Sequence, residues 1–214
     1  MTYSYNASII RFGLLRHAPT VWNAEKRIQG RRDSPLTEQG IHVARQWGRA
    51  LSVFPWDGIV TSSTERALQT ARRVNECLQV PLTIMPELRE QDWGRWTGKT
   101  LKQIRRSEPN ALKREIRAGW EFRPPNGESR IQVWNRCRQA LADIAVCHSG
   151  ANVLVVTHEG VIKSMLYRVT GRLFLPEEPV LLRPHHLHWL IWQDGDLRAQ
   201  VNAVSLTTES EPAF

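Results

Sequence analysis

Residues 14–23 read Leu14-Leu15-Arg16-His17-Ala18-Pro19-Thr20-Val21-Trp22-Asn23. An apolar run that begins at residue 9 ends here, and an apolar run closed by a turn signal is typical of a buried strand. In open α/β sheets, ligands bind outside the carboxyl ends of the strands. We therefore expect Arg16 and His17 to lie where such a fold carries out its chemistry.

A second histidine is placed in the same way. His158 directly follows Asn152-Val153-Leu154-Val155-Val156-Thr157, a run rich in β-branched residues that predicts another buried strand. One arginine lies beside the first histidine, and others lie between the two histidines in the sequence. Two histidines at two strand ends, together with these arginines, indicate a pocket for a phosphate group.

Strand and helix patterns alternate along most of the chain. Helices are predicted from Thr37, as N-cap, and over residues 64–77, 129–148 and 160–170; short strands are predicted at 59–62 and 80–85. Residues 186–192 and 197–204 predict a hairpin around Asp194-Gly195, and the tail after Thr207 is polar. This order predicts an α/β fold, namely a three-layer sandwich whose mostly parallel mixed sheet carries helices on both faces.

The stretch between Glu90 and Gly127 breaks the alternation, with three tryptophans, two glycine turns and Pro124-Pro125. We expect a small helical cap insertion at about residues 91–128 within a single domain that spans residues 1–214. The three tryptophans are expected in the core, with the roof of a substrate site as the alternative; they are Trp93, Trp96 and Trp120.

The charge of the chain favours an anionic substrate. The formal net charge is +8, which steers anions towards the protein. The basic residues form scattered pairs and no long block, so nucleic acid is not predicted as a partner. An odd number of cysteines, no secretory signal and no apolar run of 18 residues favour a cytoplasmic protein without a membrane partner. Whether the chain forms a homodimer is left open.

Five motifs in sequence order give the chain a family resemblance. It resembles the histidine phosphatase superfamily, the group that includes cofactor-dependent phosphoglycerate mutases. The motifs are Leu15-Arg16-His17 with Trp22-Asn23; Gly30 with Asp33-Ser34-Pro35-Leu36-Thr37; Thr61-Ser62-Ser63 with Arg66-Ala67 and Gln69-Thr70-Ala71; Leu88-Arg89-Glu90 with Gly94, Trp96 and Gly98; and Val156-Thr157-His158 with Gly160-Val161-Ile162.

The chemistry of phosphoryl transfer suits these residues. A neutral imidazole is a good nucleophile near neutral pH, which makes His17 the candidate for a phosphohistidine intermediate. Arg16 and Arg66 can hold phosphate oxygens through paired N–H groups, and free backbone N–H groups in the first turn of the second helix would add to the grip of Arg66. His158 is expected to donate a hydrogen bond to the same oxygens.

The proton donor is assigned by resemblance. The spacing of Leu88-Arg89-Glu90 before Gly94 and Trp96 selects Glu90 over the nearby Glu87. Candidate residues that bind the substrate are Asn23, Gly30, Glu159 and Gly160.

The chain departs from the family pattern at four positions. They are Ala18, where the family usually has glycine; Pro19, for an acidic or amide residue; Thr97, for an acidic residue; and Glu159, for glycine. We expect Ala18 to be strained if its φ is positive, and Glu159 to repel a phosphate unless it is paired or turned away. These changes affect substrate preference and leave the catalytic groups in place.

The resemblance implies a metal-independent phosphomonoesterase that acts on small phosphorylated metabolites and needs no cofactor. The interval between Glu90 and His158 is shorter than in the family's mutases, which favours hydrolysis. A cofactor-dependent phosphoglycerate mutase is the first alternative, and a basic, catalytically weak binding protein on the same fold is the second. The cluster His185-His186-Leu187-His188 has no further ligands nearby, so no metal site is predicted.

Overall fold

A seven-stranded mixed sheet forms the centre of the protein in the computed structural model, which describes residues 9–147, 150–200 and 203–206. The strands are β1 (Ile10–Arg16), β2 (Gly58–Thr61), β3 (Leu82–Ile84), β4 (Asn152–Thr157), β5 (His186–Gln193), β6 (Asp196–Ala199) and β7 (Val204–Ser205). Their order is β3-β2-β4-β1-β5-β6, with β7 also paired to β5. Strands β1 to β4 pair in parallel, whereas β5 to β7 pair antiparallel.

Helices cover both faces of this sheet, which confirms the predicted architecture. They are α1 (Val21–Ala24), α2 (Glu38–Leu51), α3 (Glu65–Leu78), α4 (Leu101–Ser107), α5 (Pro109–Arg117), α6 (Arg130–Cys147) and α7 (Glu159–Val169). Because side chains of a strand alternate between faces, Leu154 and Val156 pack with α2 and α3, whereas Val153 and Val155 pack with α6 and α7.

Local sequence signals explain several element ends. The Thr37 hydroxyl accepts a hydrogen bond from the Gly40 N–H and caps α2, as predicted. Gly171 follows the end of α7 with a φ of +70°. Asp194 and Gly195 both have positive φ and join β5 to β6, which suits the predicted two-residue hairpin turn.

The predicted strand over residues 197–204 is wrong as a single element. Ala199 of β6 lies opposite Leu190, whereas Val204 of β7 lies opposite Leu187. The chain therefore uses two residues more than an unbroken antiparallel ladder would need, and the strand is interrupted. Residues 201 and 202, His148 at the predicted end of α6, and the tail after Thr207 lie outside the described residues.

The segment 91–128 is helical, as expected, and packs around its own apolar cluster. Its helices are α4 and α5, and the cluster consists of the buried side chains Trp96, Ile104, Leu112 and Phe122. Gly94 has a φ of +46°, and a Cβ atom there would lie 2.2 Å from the Pro125 carbonyl oxygen. The two ends of the segment therefore meet at a position that requires glycine.

No helix within the described ranges is long and apolar enough to cross a membrane. The three cysteines, Cys77, Cys137 and Cys147, all carry free thiols.

The pairing of β1 with β4 brings the two predicted histidines together. Arg16 lies opposite Thr157 in this parallel ladder, so the next residue of each strand is a histidine. The His17 N–H donates to the Thr157 carbonyl at 2.9 Å. Strand β2 pairs with β4 on its other side, so Ser62 and the start of α3 lie at the same edge.

The turn after His17 packs against the start of α2, and this contact makes glycine necessary at position 40. A Cβ atom on Gly40 would lie 2.1 Å from the Pro19 carbonyl oxygen. We expect Gly40→Ala to lower the free energy of unfolding by about 1–3 kcal/mol, because the backbone must move to admit the methyl group. Denaturant unfolding of the purified variants measures the change.

Gly58→Ala is the matched control, because its Cβ would lie at an ordinary 3.5 Å from the Pro81 carbonyl oxygen. It should change the free energy of unfolding by less than about 1 kcal/mol. Equal stability of the two variants would contradict the close contact at Gly40.

Candidate active site

His17 is held as a neutral imidazole with one free nitrogen. Its Nδ1 lies 2.8 Å from the Ala18 carbonyl oxygen, so Nδ1–H donates and the lone pair remains on Nε2. Burial, followed by the charges of Arg16 and Arg66, holds the pKa of His17 well below its usual value. The ring is therefore uncharged at neutral pH, and Nε2 is available as a nucleophile.

His158 lies beside it, with a distance of 5.4 Å between the ring centroids. Its Nε2 is 2.8 Å from the Ser62 hydroxyl and 3.2 Å from the Thr64 hydroxyl. Burial, Arg66 and His17 hold the pKa of His158 well below its usual value. If the nearer hydroxyl, that of Ser62, donates to Nε2, the ring proton lies on Nδ1, which is buried and has no hydrogen-bond partner among the described residues.

Arg66 is almost completely buried, with 1% of the side chain exposed. Its Nη1 donates to the Arg32 carbonyl at 2.8 Å and to Asp33 Oδ1 at 2.9 Å, and its Nη2 donates to the Gly30 carbonyl at 2.7 Å. Its Nε has no partner within the described ranges. Gly30 thus orients the guanidinium, and Nε–H remains for a ligand.

The expectation of free backbone N–H groups at the start of α3 is wrong. The Asp33 carboxylate accepts from the backbone N–H groups of Glu65 at 3.0 Å and Arg66 at 3.4 Å. A carboxylate already occupies the N-terminal position that would favour an anion. Arg66 can therefore offer an anion its side chain but not its backbone N–H.

Arg16 is engaged by Glu159, which explains how a carboxylate is tolerated in the site. Arg16 Nη1 lies 2.8 Å from Glu159 Oε2, and Lys163 Nζ lies 2.5 Å from Glu159 Oε1. Burial pushes the pKa of Glu159 up, but Arg16 and Lys163 outweigh it and hold the pKa below its usual value. Glu159 is thus a paired carboxylate that competes with any bound anion for Arg16.

Glu90 lies in the site, and its carboxylate is held by two backbone groups. The N–H of Gln91 donates to Oε1 at 2.8 Å, and the N–H of Gly160 donates to Oε2 at 3.2 Å. Burial raises the pKa of Glu90 despite these bonds and the nearby charge of Arg66. The competing carboxylate, Glu87, is exposed and does not line the cleft.

Gly160 has a tight contact with this acid. A Cβ atom on Gly160 would lie 2.5 Å from Glu90 Oε1. The small residue therefore allows the first turn of α7 to approach the carboxylate, and its N–H binds Glu90.

Arg136 on α6 fixes the backbone that carries Glu90, and no sequence motif indicated it. It binds both oxygens of Glu128, with Nε at 2.8 Å and Nη2 at 2.9 Å. Its Nη2 also donates to the Glu90 carbonyl at 3.3 Å, and its Nη1 donates to the Glu87 carbonyl. Arg136 thus anchors both ends of the Glu87–Glu90 turn.

These groups surround one cleft, with a volume of about 390 Å³. Eight of the nine predicted site residues line it, namely Arg16, His17, Asn23, Gly30, Arg66, Glu90, Glu159 and Gly160. His158 is fully buried next to His17. The sequence analysis missed Lys26, Arg27, Ile28, Gln29, Gln91, Leu101, Arg130, Lys163 and Phe174, which also line the cleft. Only Lys163 had a signal, as the residue one helical turn after Glu159.

The three tryptophans predicted for the core or the roof of the site differ in position. Trp93 lines it, whereas Trp96 is buried within the 91–128 segment and Trp120 packs against the core near α6 and α7. Asn23 Oδ1 accepts from the N–H and hydroxyl of Thr20, which leaves its Nδ2 for a ligand.

The Ala18 substitution causes no backbone strain, because its φ is not positive. Its N–H donates to the Thr70 hydroxyl at 3.0 Å. Two histidines of the 185–188 cluster contact neighbouring backbone: His186 Nδ1 donates to the Pro184 carbonyl, and His188 Nε2 accepts from the Arg183 N–H. No group of three or more His, Cys, Asp or Glu side chains in the described part of the chain is placed to hold a metal ion.

The chain is similar to known proteins in both sequence and fold. The profile of the histidine phosphatase superfamily (branch 1) matches residues 12–203. The uncharacterized phosphatase PhoE of Bacillus subtilis is 32% identical over 158 residues, which cover 74% of this chain and 76% of that protein. The probable phosphoglycerate mutase GpmB of Enterobacter sp. is 31% identical over 182 residues, 85% of each chain. The structure of Bacillus stearothermophilus YhfR superposes with a TM-score of 0.81 at 32% identity, covering 89% of this chain and 95% of that chain.

Removal of the Glu159 charge tests its competition for Arg16. We expect Glu159→Gln to tighten the binding of inorganic phosphate by about three- to tenfold, because the ligand no longer displaces a carboxylate from Arg16. Isothermal titration calorimetry with inorganic phosphate measures the dissociation constant.

Glu76→Gln is the control for net charge, since Glu76 pairs with Arg45 and Arg73 away from the cleft. It should leave phosphate binding unchanged. Weaker phosphate binding by Glu159→Gln would mean instead that Glu159 is needed to hold Arg16 in place.

Proposed function

Since the chain belongs to the histidine phosphatase superfamily, we propose that it is a metal-independent phosphomonoesterase that hydrolyses small phosphorylated metabolites through a phosphohistidine intermediate. The observation that carries the proposal is the state of His17, a neutral ring whose Nδ1–H is bound to a carbonyl and whose Nε2 is free in the cleft. An acid with a raised pKa and two arginines line the same cleft.

In the first step, His17 Nε2 attacks the phosphorus atom. A P–N bond forms, the P–O bond to the alcohol breaks, and Glu90 gives its proton to the departing oxygen. Arg16, the Nε–H of Arg66 and Nδ1–H of His158 bind the phosphoryl oxygens as their charge is redistributed.

In the second step, Glu90 acts in the opposite sense. As a carboxylate it takes a proton from water, the water oxygen attacks the phosphorus atom, and the P–N bond breaks. Inorganic phosphate leaves, His17 is again neutral, and Glu90 again carries a proton. The two backbone N–H groups on its carboxylate stabilise the ionised form between the steps.

The proposal includes no metal ion, because arginines can supply the positive charge that Mg²⁺ supplies in other phosphoryl-transfer sites. Arg16 and Arg66 both line the cleft. Positive charge from arginines needs no carboxylate ligands, whereas a bound Mg²⁺ does.

Mutase activity is the second candidate. The relative from Enterobacter, named a probable phosphoglycerate mutase, matches over 85% of each chain. The short interval between Glu90 and His158 supports hydrolysis, whereas the name of this relative supports the mutase. The third candidate, a binding protein with weak catalysis, is disfavoured because the complete set of catalytic groups is present around the cleft.

Trapping of the intermediate tests the proposal. Enzyme quenched during turnover after exhaustive chelation should carry an acid-labile, base-stable phosphoryl group on His17, and His17→Ala should lower turnover by about 10⁴-fold or more. His42 is an exposed histidine of α2, and His42→Ala should behave as the wild type.

A mutase assay separates the first two candidates. With 3-phosphoglycerate and catalytic 2,3-bisphosphoglycerate, release of phosphate should exceed isomerisation, and the reverse would establish the mutase. Absence of a phosphoenzyme with every ester tested would refute both the phosphatase and the mutase.

The acid role of Glu90 predicts a dependence on the leaving group and on pH. Glu90→Gln should slow phosphorylation of His17 by alkyl phosphates about 10²–10⁴-fold and by p-nitrophenyl phosphate far less, because nitrophenolate leaves without a proton. Phosphorylation requires protonated Glu90, whose pKa is raised, so the wild-type rate should fall only above the ordinary range of a glutamate. It also requires neutral His17, whose pKa is lowered, so the acid limb should lie below the usual pKa of histidine.

Single-turnover formation of the phosphoenzyme across pH measures both effects, with Glu87→Gln as the control. The alkaline limb should disappear in Glu90→Gln. Equal losses with both leaving groups would remove the acid role from Glu90, and a leaving-group effect in Glu87→Gln would transfer it there.

A further inference from the structure

Arg130, the first residue of α6, brings a positive charge to the cleft far along the chain from the catalytic motifs. Its described bonds are to backbone only: Nη1 donates to the Gly119 carbonyl at 2.9 Å and, more weakly, to the Phe174 carbonyl at 3.4 Å. Burial lowers the pKa of Arg130 to about 10, with only a partial compensation from Tyr167. The guanidinium is therefore charged at neutral pH and partly removed from water.

Each of the other arginines that line the cleft is paired with a carboxylate. Arg16 is paired with Glu159, Arg66 with Asp33, and Arg27 with Glu25. Among the described residues, no carboxylate lies within ion-pair distance of Arg130. A partly buried cation without a counter-ion is costly, and a ligand anion would offset that cost.

The guanidinium of Arg130 is also fixed in orientation. Its Cζ lies 4.2 Å from the ring centroid of Phe122 and 4.4 Å from that of Phe174. These rings and the two carbonyls restrict the group, while Nε and Nη2 make no hydrogen bond with the described residues. A planar guanidinium held in this way is preorganised to bind a carboxylate or phosphate through two N–H groups.

The excess of positive charge in the cleft lining also favours a ligand with more than one negative group. Its lining contains six cationic side chains and two carboxylates, namely Arg16, Lys26, Arg27, Arg66, Arg130 and Lys163 with Glu90 and Glu159. The phosphoryl group of the substrate would take up the charge around His17. Arg130 contributes a further, unmatched positive charge.

We propose that Arg130 binds a second anionic group, a carboxylate or a second phosphate, on the alcohol portion of the phosphate ester. The inference rests on the proposed function, because it places the reacting phosphoryl group at His17. It defines the substrate class as small phosphate monoesters that carry a second negative group, and Arg130 as the residue that selects them.

Non-hydrolysable ligands test the proposal without turnover. Titration calorimetry compares propylphosphonate with 3-phosphonopropionate, in which a carboxylate replaces the terminal methyl group, and with 1,3-propanediphosphonate, which carries a second phosphonate on that carbon. The wild type should bind at least one of the two anionic ligands about tenfold more tightly than propylphosphonate, a difference of about 1.4 kcal/mol. The ligand that gains more identifies the second group.

Substitution of Arg130 should remove the preference for ligands with a second anionic group and leave the binding of the phosphonate group itself intact. Arg130→Gln should bind the three ligands within about threefold of one another, with propylphosphonate unchanged, and Arg130→Lys should keep part of the preference. Arg168→Gln is the matched control, because Arg168 also lies near aromatic rings, those of Trp120 and Trp134, but does not line the cleft. It should keep the full preference.

Two results would overturn the proposal: no preference in the wild type, or an equal loss for all three ligands in both Arg130 variants, which would show a structural role. These results are distinguishable from failure of the proposed function. Turnover without the anion preference would refute only the role of Arg130, whereas the preference without any phosphoenzyme would refute only the phosphatase.

Discussion

The parallel pairing of β1 with β4 is the constraint on which the site depends. It places Arg16 opposite Thr157, and the His17 N–H continues the ladder by donating to the Thr157 carbonyl. Because both strands end at the same level, their next residues are two histidines with ring centroids 5.4 Å apart. A shift of the register by one residue would separate His17 from His158 and turn every side chain of the shifted strand towards the opposite helical layer.

Around these histidines, backbone groups orient the polar side chains of the site. The Gly30 carbonyl holds Arg66, the Gly160 N–H holds Glu90, and the Ala18 carbonyl holds His17. Such contacts require close approach of the backbone, which explains the glycine at position 160. Burial, and not these contacts, shifts the pKa values: it lowers the pKa of His17 and raises that of Glu90, whereas the backbone hydrogen bonds act in the opposite sense. One desolvated cleft therefore favours the neutral form of both the base and the acid.

The sequence predicted the parts of this arrangement that depend on local pattern. Strand ends located His17 and His158, helical spacing located α2 and α3, and a motif selected Glu90 over the exposed Glu87. It did not predict contacts between distant segments. Asp33 occupies the start of α3 from 32 residues away, and Arg136 reaches Glu90 from 46 residues away. Periodicity carries no information on such contacts, nor on the two extra residues between β6 and β7.

The ion pair between Arg16 and Glu159 has a consequence for the energetics of the catalytic cycle. In the proposed cycle, a bound anion replaces Glu159 as the negative partner of Arg16, and Glu159 returns when the product leaves. Lys163 holds Glu159 nearby throughout this exchange. In that cycle Arg16 keeps a negative partner between turnovers. An internal counter-ion of this kind lowers the electrostatic reorganisation that emptying and refilling the site would otherwise require of bulk water.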